Sequence, residues 1–268
     1  MVNMDAVALT IAGSDPSGGA GLQADLKVFQ QLGVYGMSVV TLLTVQNTQG
    51  VTEVDVFSPE IILAQLQAVC SDIPPKVIKT GAMGNAKVVE EIGKVLSGIT
   101  CPKVIDPVLV SKHGHALVAD DVIGSYIEHL IPQAFLITPN RHEAERLSGV
   151  KIVDRSTALE AIRQLQRFGA SNVLLKAGCM ENQQYHFLAM GSDVEEEIVT
   201  PTILANNTHG SGCVLAASIA AWLALGELGL ENAVRRGVEG VYQAIQCNSQ
   251  LGKGIHPVDV RGMSQQTI

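Results

Sequence analysis

The sequence predicts an α/β fold with a mostly parallel central sheet and helices on both faces. Strand-like and helix-like stretches alternate along the 268 residues, and repeated βα units form parallel sheets. Apolar residues make up 47% of the chain and aromatic residues 4%, so we expect an aliphatic core, which suits buried parallel strands. No linker, internal repeat or low-complexity run divides the chain. We therefore expect one domain over residues 1–268.

The first half of the chain supplies most of the predicted strands. An apolar run opens the fold, and a glycine-rich turn leads from it into the first helix. Ser58 is the expected cap of the second helix, because Pro59 follows it and suits a first helical position. The predicted strands are 6–12, 37–45, 51–57, 76–80 and 103–105, and the predicted helices are 20–32, 59–70 and 85–96.

The second half of the chain is richer in helices. Its predicted helices are 120–130, 141–147, 156–168, 212–225 and 230–249, and its predicted strands are 134–138, 173–176 and a hairpin of 185–190 with 195–200. In open α/β sheets, ligands bind beyond the carboxyl ends of the strands. The loops that follow strands are therefore the places where we look for functional residues.

Charge and cysteine content narrow the class of protein. The net charge is −8, which argues against a nucleic-acid or anionic-membrane partner because an acidic surface offers neither a counter-charge. The N-terminus has no basic region followed by a long apolar run, and no stretch reaches about 18 apolar residues. The five cysteines are scattered and form no C-x-x-C pair, which favours reduced thiols. We expect a cytoplasmic globular protein.

A glycine-rich loop, residues 13–21, follows the first predicted strand. Its G-x-x-x-x-G spacing is that of a P-loop, but Gly19-Ala20 stands where Lys-Ser/Thr is required, and no G-x-G-x-x-G fingerprint occurs there. The loop is either a tight strand-to-helix turn or a turn that lets a flat ligand approach the backbone. Asp25, in the following helix, is either a solvated acid or a group directed at that ligand.

A second glycine loop, residues 207–213, opens a long alanine-rich helix. Its backbone N–H groups and the positive end of the helix dipole favour phosphate binding. Cys213 occupies the first turn, where the same field is expected to lower the pKa of a thiol, so that it can act as a general base toward an alcohol. The alternative is a small buried apolar residue. His209 is expected to bond loop backbone or a ligand phosphate.

Several motifs in order resemble one known family. The string N-T-H-G-S-G-C at 207–213 is similar to the N-T-H-G-T-G-C loop of the hydroxymethylpyrimidine and phosphomethylpyrimidine kinases of thiamine biosynthesis, in the ribokinase-like superfamily. The likeness covers the whole chain. It includes A-L-T-I-A-G-S-D-P-S-G-G-A-G from residue 8, T-V-Q-N-T-Q-G-V at 44–51, K-T-G at 79–81, V-I-D-P-V at 104–108, I-T-P-N at 137–140 and G-K-G-I-H-P-V at 252–258.

The resemblance implies a three-layer ribokinase-like fold and an ATP- and Mg²⁺-dependent kinase. Cys213 would take the proton of a primary alcohol that attacks the γ-phosphorus of ATP. The amides of Gly210, Ser211 and Gly212 would stabilise the transferring phosphoryl group. Asp106 ends a predicted buried strand, where an acid is destabilising unless it is paired or metal-bound. The remaining implied residues are Asn140, Lys176 and Thr208 for ATP, Asp106 and Glu143 for Mg²⁺, and Lys112 on a lid.

On the substrate side, the resemblance implies a slot for an aminopyrimidine ring. The amide of Gln46 offers a donor and an acceptor to the amino and ring-nitrogen edge of that ring. The rest of the implied slot consists of Gly13, Asp25, Val45, Ala82 and Val108. The sequence departs from the family pattern at Ala82, at His113 in the lid and at Cys179 after a late strand.

The expected activity is phosphorylation of 4-amino-5-hydroxymethyl-2-methylpyrimidine and of its monophosphate, by a homodimer. A pyridoxal kinase of the same superfamily is the nearest alternative, and the intact Gln46-Asn47-Thr48 run favours the pyrimidine. A non-catalytic ligand-binding regulator is a third possibility, against which the retention of Cys213 and Lys176 argues. A dehydrogenase lacks support, because no dinucleotide fingerprint is present.

Overall fold

A nine-stranded mixed sheet forms the centre of the computed structural model, which describes residues 6–109, 121–180, 183–191, 193–247 and 249–263. The strand order is β3-β2-β1-β4-β5-β6-β7-β8-β9. The strands are β1 (Val7–Ser14), β2 (Tyr35–Asn47), β3 (Gly50–Val56), β4 (Val77–Thr80), β5 (Lys103–Ile105), β6 (Leu136–Ile137), β7 (Asn172–Met180), β8 (Gln183–Met190) and β9 (Asp193–Pro201). The interior is parallel from β2 to β7, while β3, β8 and β9 pair antiparallel.

Helices cover both faces of this sheet, as predicted. The helices are α1 (Gly21–Gln31), α2 (Pro59–Asp72), α3 (Ala86–Ser97), α4 (Val122–Ser125), α5 (Arg141–Ser148), α6 (Arg155–Arg167), α7 (Ser211–Leu225) and α8 (Leu230–Gln246). Residues of α1, α7 and α8 share one apolar cluster, and those of α2 to α6 share the other. Neighbouring strand residues alternate between the two clusters; Val104 belongs to one and Ile105 to the other.

The helix predicted over 120–130 is the least regular of the set. Its described part begins as α4 and continues through a wider turn at Tyr126–Leu130 and a tighter one at Ile131–Gln133. Pro132 lies in that last turn, and proline has no N–H to donate to a preceding helical carbonyl. The sequence pattern predicted a helix over 120–130, but not its change of pitch.

The parallel strands bring their carboxyl ends to one edge of the sheet. The residues that follow β1, β4, β5 and β6 therefore lie near each other, together with the first turn of α7. None of the helices in the described part of the chain combines the length and the apolar character needed to cross a membrane.

Candidate active site

A cavity of about 640 Å³ lies at the carboxyl edge of the sheet. Both glycine loops contribute to its wall, as do the ends of the parallel strands. All predicted site residues within the described ranges line it, except Asp25 and Val45. These lining residues are Gly13, Gln46, Ala82, Asp106, Val108, Asn140, Glu143, Lys176, Thr208, Gly210, Ser211, Gly212 and Cys213. Lys112 and His113 lie outside the described residues.

The two glycine loops pack directly against each other. Gly210 has a left-handed φ of 80°, and a Cβ there would lie 1.8 Å from the carbonyl oxygen of Gly19. A Cβ on Gly19 would in turn lie 2.4 Å from Cδ2 of His209. Only glycine permits so close an approach of backbone to backbone. The two loops thus form one continuous wall of the cavity.

Two segments far apart in sequence hold this wall in place. The Ile255 N–H donates to the carbonyl of Thr48 at 2.8 Å, and the His256 N–H donates to the carbonyl of Asn206 at 2.9 Å. His209 then bonds the same segment in both directions, donating to the carbonyl of His256 at 3.0 Å and accepting from the Val258 N–H at 3.1 Å. The family-like strings at 44–51, 207–213 and 252–258 therefore meet in space.

Cys213 lies in the first turn of α7, which begins at Ser211 with Gly210 as its N-cap. The predicted lowering of its pKa is wrong. Burial raises the pKa of the thiol to about 11, although the charge of Lys79 and a hydrogen bond from the Gly21 N–H both act to lower it. The helix dipole favours the thiolate at this position, but the loss of solvent has the larger effect on the pKa of a buried thiol.

Asp25 corrects one substrate-binding prediction. Its carboxylate is fully buried beneath the cavity, where it accepts from Lys79 Nζ at 2.8 and 3.0 Å and from the Thr10 hydroxyl at 2.6 Å. It is therefore neither a solvated acid nor a ligand contact. Burial alone would lower the pKa of Lys79. The adjacent Asp25 carboxylate outweighs this effect of burial and raises the pKa above its ordinary value.

Val45 corrects a second prediction. It lies on β2 between Thr44 and Gln46, both of which line the cavity, and strand side chains alternate between faces. Val45 consequently points away and is 56% exposed. The apolar wall near Gln46 is Leu42 instead, on the same side of the strand. Cys179 is also away from the cavity lining, with its Sγ 3.1 Å from the Thr202 hydroxyl.

Acidic and basic groups converge where β5, β7 and α5 meet. Asp106 Oδ1 accepts from Lys176 Nζ at 3.2 Å and from the Thr138 hydroxyl at 3.1 Å. Glu143 closes a capping box with Asn140, accepting from its N–H at 2.8 Å and donating its own N–H to the Asn140 side chain at 2.9 Å. Asn140 and Glu143 thus cap α5 and also line the cavity.

The pKa values in this cluster follow from burial and mutual charge. Burial raises the pKa of Glu143 to about 7; the Lys176 charge lowers it and the Asp106 charge raises it. Burial opposes ionisation of Lys176, but Asp106 and Glu143 outweigh it and raise the pKa of this lysine. Two carboxyl groups around one ammonium leave an excess of acceptor capacity, which suits an added cation.

Sequence reasoning assigned no role to several residues that shape the site. Lys79 was part of a recognised string, and a lysine within an apolar strand is itself a sign of a buried partner. Asp15 is another such residue, and it forms a buried pair with His209, with 2.8 Å between carboxylate Oδ2 and Nε2. Further polar residues also line the cavity: His142 of α5, Gln184 and His186 of β8, and Tyr242 of α8.

A cleft at the carboxyl edge of such a sheet, with a glycine-rich helix start on one side and a strand-end lysine on the other, is the architecture of ribokinase-like small-molecule kinases. Within that class the chain belongs to the phosphomethylpyrimidine kinase family, because a sequence model of that family matches residues 15–259.

Individual relatives agree with this assignment. The chain is 40% identical to a hydroxymethylpyrimidine/phosphomethylpyrimidine kinase of Synechococcus elongatus, covering 94% of this chain and 96% of that one. It is 44% identical to the thiamine biosynthesis bifunctional protein ThiED of Geobacter sulfurreducens, covering 94% of this chain but 51% of that protein, so it spans about half its length. The structure of the pyridoxal kinase from Staphylococcus aureus in complex with AMP-PCP and pyridoxal matches with a TM-score of 0.86 and 31% identity, covering 96% of this chain and 93% of that one.

Proposed function

We propose that residues 1–268 form one kinase domain that transfers the γ-phosphoryl group of ATP to the primary alcohol of 4-amino-5-hydroxymethyl-2-methylpyrimidine, and then to the resulting monophosphate. One observation carries this proposal: Gln46, Lys176 and Cys213 line a single cavity. The first suits an aminopyrimidine edge, the second a phosphate and the third an alcohol proton. The Synechococcus relative is by name a hydroxymethylpyrimidine/phosphomethylpyrimidine kinase, and the Geobacter relative is by name a protein of thiamine biosynthesis.

The start of α7 supports the phosphoryl-transfer half of the proposal. The first turn of a helix leaves backbone N–H groups without intrahelical partners, and they favour negative charge. We assign the amides of Gly210, Ser211 and Gly212 to the transferring phosphoryl group. A Cβ on Gly212 would lie 3.5 Å from Lys176 Nζ, so this lysine is close to the same amides. Asn140 and Thr208 border the nucleotide side.

Asp106 and Glu143 are the proposed Mg²⁺ ligands. In the described part of the chain no group of three or more acidic, His or Cys side chains is arranged to hold a metal. That fits Mg²⁺ at a kinase site, which is held by one or two carboxylates and completed by water and substrate phosphates. When bound, the ion would neutralise charge on the phosphates. Glu143 is held in orientation by its hydrogen bond from the Asn140 N–H.

The pyrimidine slot is proposed to lie between the first glycine loop and β2. Gly13 allows close approach, since a Cβ there would lie 2.5 Å from Leu42. Ala82 and Val108 complete the apolar lining next to the polar amide of Gln46. The thiolate form of Cys213 then takes the alcohol proton, as the general base.

Steady-state assays with three substrates, two alcohols and one phosphate monoester, test the proposal. We expect kcat/KM for the hydroxymethylpyrimidine and for its monophosphate to exceed that for pyridoxal by at least about tenfold, because pyridoxal lacks the paired amino and ring-nitrogen edge. Pyridoxal is included because the Staphylococcus aureus kinase binds it in a similar structure. A ratio in favour of pyridoxal would overturn the substrate assignment, and activity with none of the three would overturn the kinase assignment.

A second copy of the chain is the proposed partner. Leu43 and Val45 lie on the same side of β2, 44% and 56% exposed, beside the edge strand β3. Adjacent apolar side chains next to an open strand edge favour association. Light scattering should therefore give the mass of a dimer, and Val45→Lys should give that of a monomer. A monomeric wild-type protein at micromolar concentration contradicts the proposal.

A reducing compartment such as the cytoplasm is the proposed location. All five cysteines are unpaired, and three of them are only partly exposed. Free thiols of this kind persist in compartments where cysteines are kept reduced.

A further inference from the structure

Asp15 is surrounded by hydrogen-bond donors. Its Oδ1 accepts from the N–H and the hydroxyl of Ser17 at 2.9 and 2.8 Å, and its Oδ2 accepts from the Ala20 N–H at 2.9 Å. Oδ2 also lies 2.8 Å from Nε2 of His209, and both side chains are nearly fully buried. Burial alone would raise the pKa of Asp15, but the hydrogen bonds from His209 and Ser17 outweigh it and lower that pKa.

These contacts determine where the proton of His209 lies. An ionised carboxylate has acceptors only, so the short contact requires that Nε2 of His209 carries a hydrogen and donates it. A protonated Nε2 has no lone pair left to accept a second hydrogen bond. The neighbouring Gln46 side chain therefore meets a donor at this nitrogen.

The amide of Gln46 lies between two such neighbours. Its Oε1 is 3.1 Å from the Thr44 hydroxyl oxygen and its Nε2 is 3.4 Å from His209 Nε2. The Thr44 hydroxyl has one proton, and its shorter contact, at 2.9 Å, is with the carbonyl oxygen of Ser14, so Thr44 faces Gln46 as an acceptor. The oxygen and nitrogen of an amide exchange places by a half-turn, and their neighbours select the arrangement. Here a hydroxyl acceptor and an imidazole N–H select the exchanged arrangement, with the amide nitrogen beside Thr44 and the amide oxygen beside His209.

We propose that the Asp15–His209 pair and Thr44 fix the polarity of the Gln46 amide, and so make His209 and Thr44 specificity-determining positioning residues. This inference rests on the proposed function, in which Gln46 pairs with the substrate ring. With the outer positions of the amide occupied, its end presents one acceptor on the His209 side and one donor on the Thr44 side.

That polarity selects a ring and an orientation. An aminopyrimidine matches it when the exocyclic amino group faces the amide oxygen and the ring nitrogen faces the amide N–H. In the proposed substrate the hydroxymethyl carbon is attached beside the amino-bearing carbon, so it falls on the His209 side. His209 belongs to the same loop as Cys213, four residues earlier. The alcohol is thereby directed toward the proposed base.

The 4-oxo counterpart of the substrate is the sharpest probe, because its carbonyl and ring N–H reverse the donor and acceptor. We expect the wild-type kcat/KM to favour the 4-amino alcohol by about 10³-fold or more, since a mispaired polar site rejects its ligand strongly. His209→Leu frees the amide to turn and should reduce this ratio at least about tenfold, chiefly by improving the 4-oxo compound. Thr44→Val, at a half-buried position that tolerates the change, should do the same if His209→Leu fails to fold.

Matched variants distinguish a failure of this inference from a failure of the proposed function. Thr44→Ser keeps the hydroxyl and should keep the wild-type ratio, and His129→Leu, at a histidine outside the cavity lining, should leave the ratio unchanged. Variants that lower both rates equally and keep the ratio would overturn the inference while the proposed function stands. A wild-type enzyme that phosphorylates neither alcohol would overturn the proposed function itself.

Discussion

Replacing Cys213 with alanine should reduce kcat by about 10²–10⁴-fold while leaving pyrimidine binding essentially unchanged, since positioned proton transfer contributes a factor of that size. The thiol lies at the first turn of α7 and lines the cavity that Gln46 also lines. Calorimetric titration with the pyrimidine and single-turnover kinetics with ATP measure the two quantities separately. Cys101→Ala, at a partly buried thiol in the opposite apolar cluster, is the matched control and should keep the wild-type rate.

The pH dependence of the reaction gives a second, independent test of the same base. Because burial raises the pKa of Cys213 to about 11, the reactive thiolate is the minor form at neutral pH. The wild-type kcat/KM should therefore rise steeply between pH 7 and pH 9, approaching about tenfold per pH unit. Cys213→Asp supplies a base that is already ionised and should flatten this rise. Wild-type turnover in Cys213→Ala would show that another group accepts the proton.

Converting Asp25 to asparagine should cost about 3–5 kcal/mol of folding free energy, because it leaves the buried ammonium of Lys79 without a counter-charge. Both side chains are completely excluded from solvent, and two short contacts join them. Urea unfolding at neutral pH measures the change. The double variant Asp25→Asn/Lys79→Met removes both charges and should recover a large part of the loss.

A surface pair provides the control for this result. Lys87 pairs with Glu91 one turn along α3, and its side chain is 61% exposed. Lys87→Met should change the unfolding midpoint little, since exposed pairs are screened by water. Equal stability of Asp25→Asn and the wild type would mean that the Asp25–Lys79 pair is not ionised in the folded protein, which contradicts the prediction.

The order of strands and helices was readable from the sequence because apolar periodicity records it directly. The short buried runs of β4 and β5, and the asparagine that precedes α5, follow from patterns within a few neighbouring positions. The start of α7 was similarly visible as small residues before an alanine-rich run. These features depend on local chemistry, which a linear sequence displays.

Features that depend on burial and on contacts across the fold were not readable. The lysine within β4 indicates a buried partner, but the sequence does not identify that partner as Asp25, 54 positions away. Alternation along β2 excludes Val45 once Gln46 is assigned to the cavity, whereas the family resemblance implies both residues. The predicted lowering of the Cys213 pKa was wrong because the loss of solvent around the thiol depends on the folded structure.

The contact between Thr48 and the segment at 252–258 has a consequence for synthesis. During translation the sheet strands, both glycine loops and α7 all leave the ribosome before this segment does. Until it arrives, His209 lacks the backbone partners at His256 and Val258 that hold it. A nascent chain can therefore complete its core before the loop at 207–213 is secured, and the proposed active site is complete only after residues 252–258 have been made.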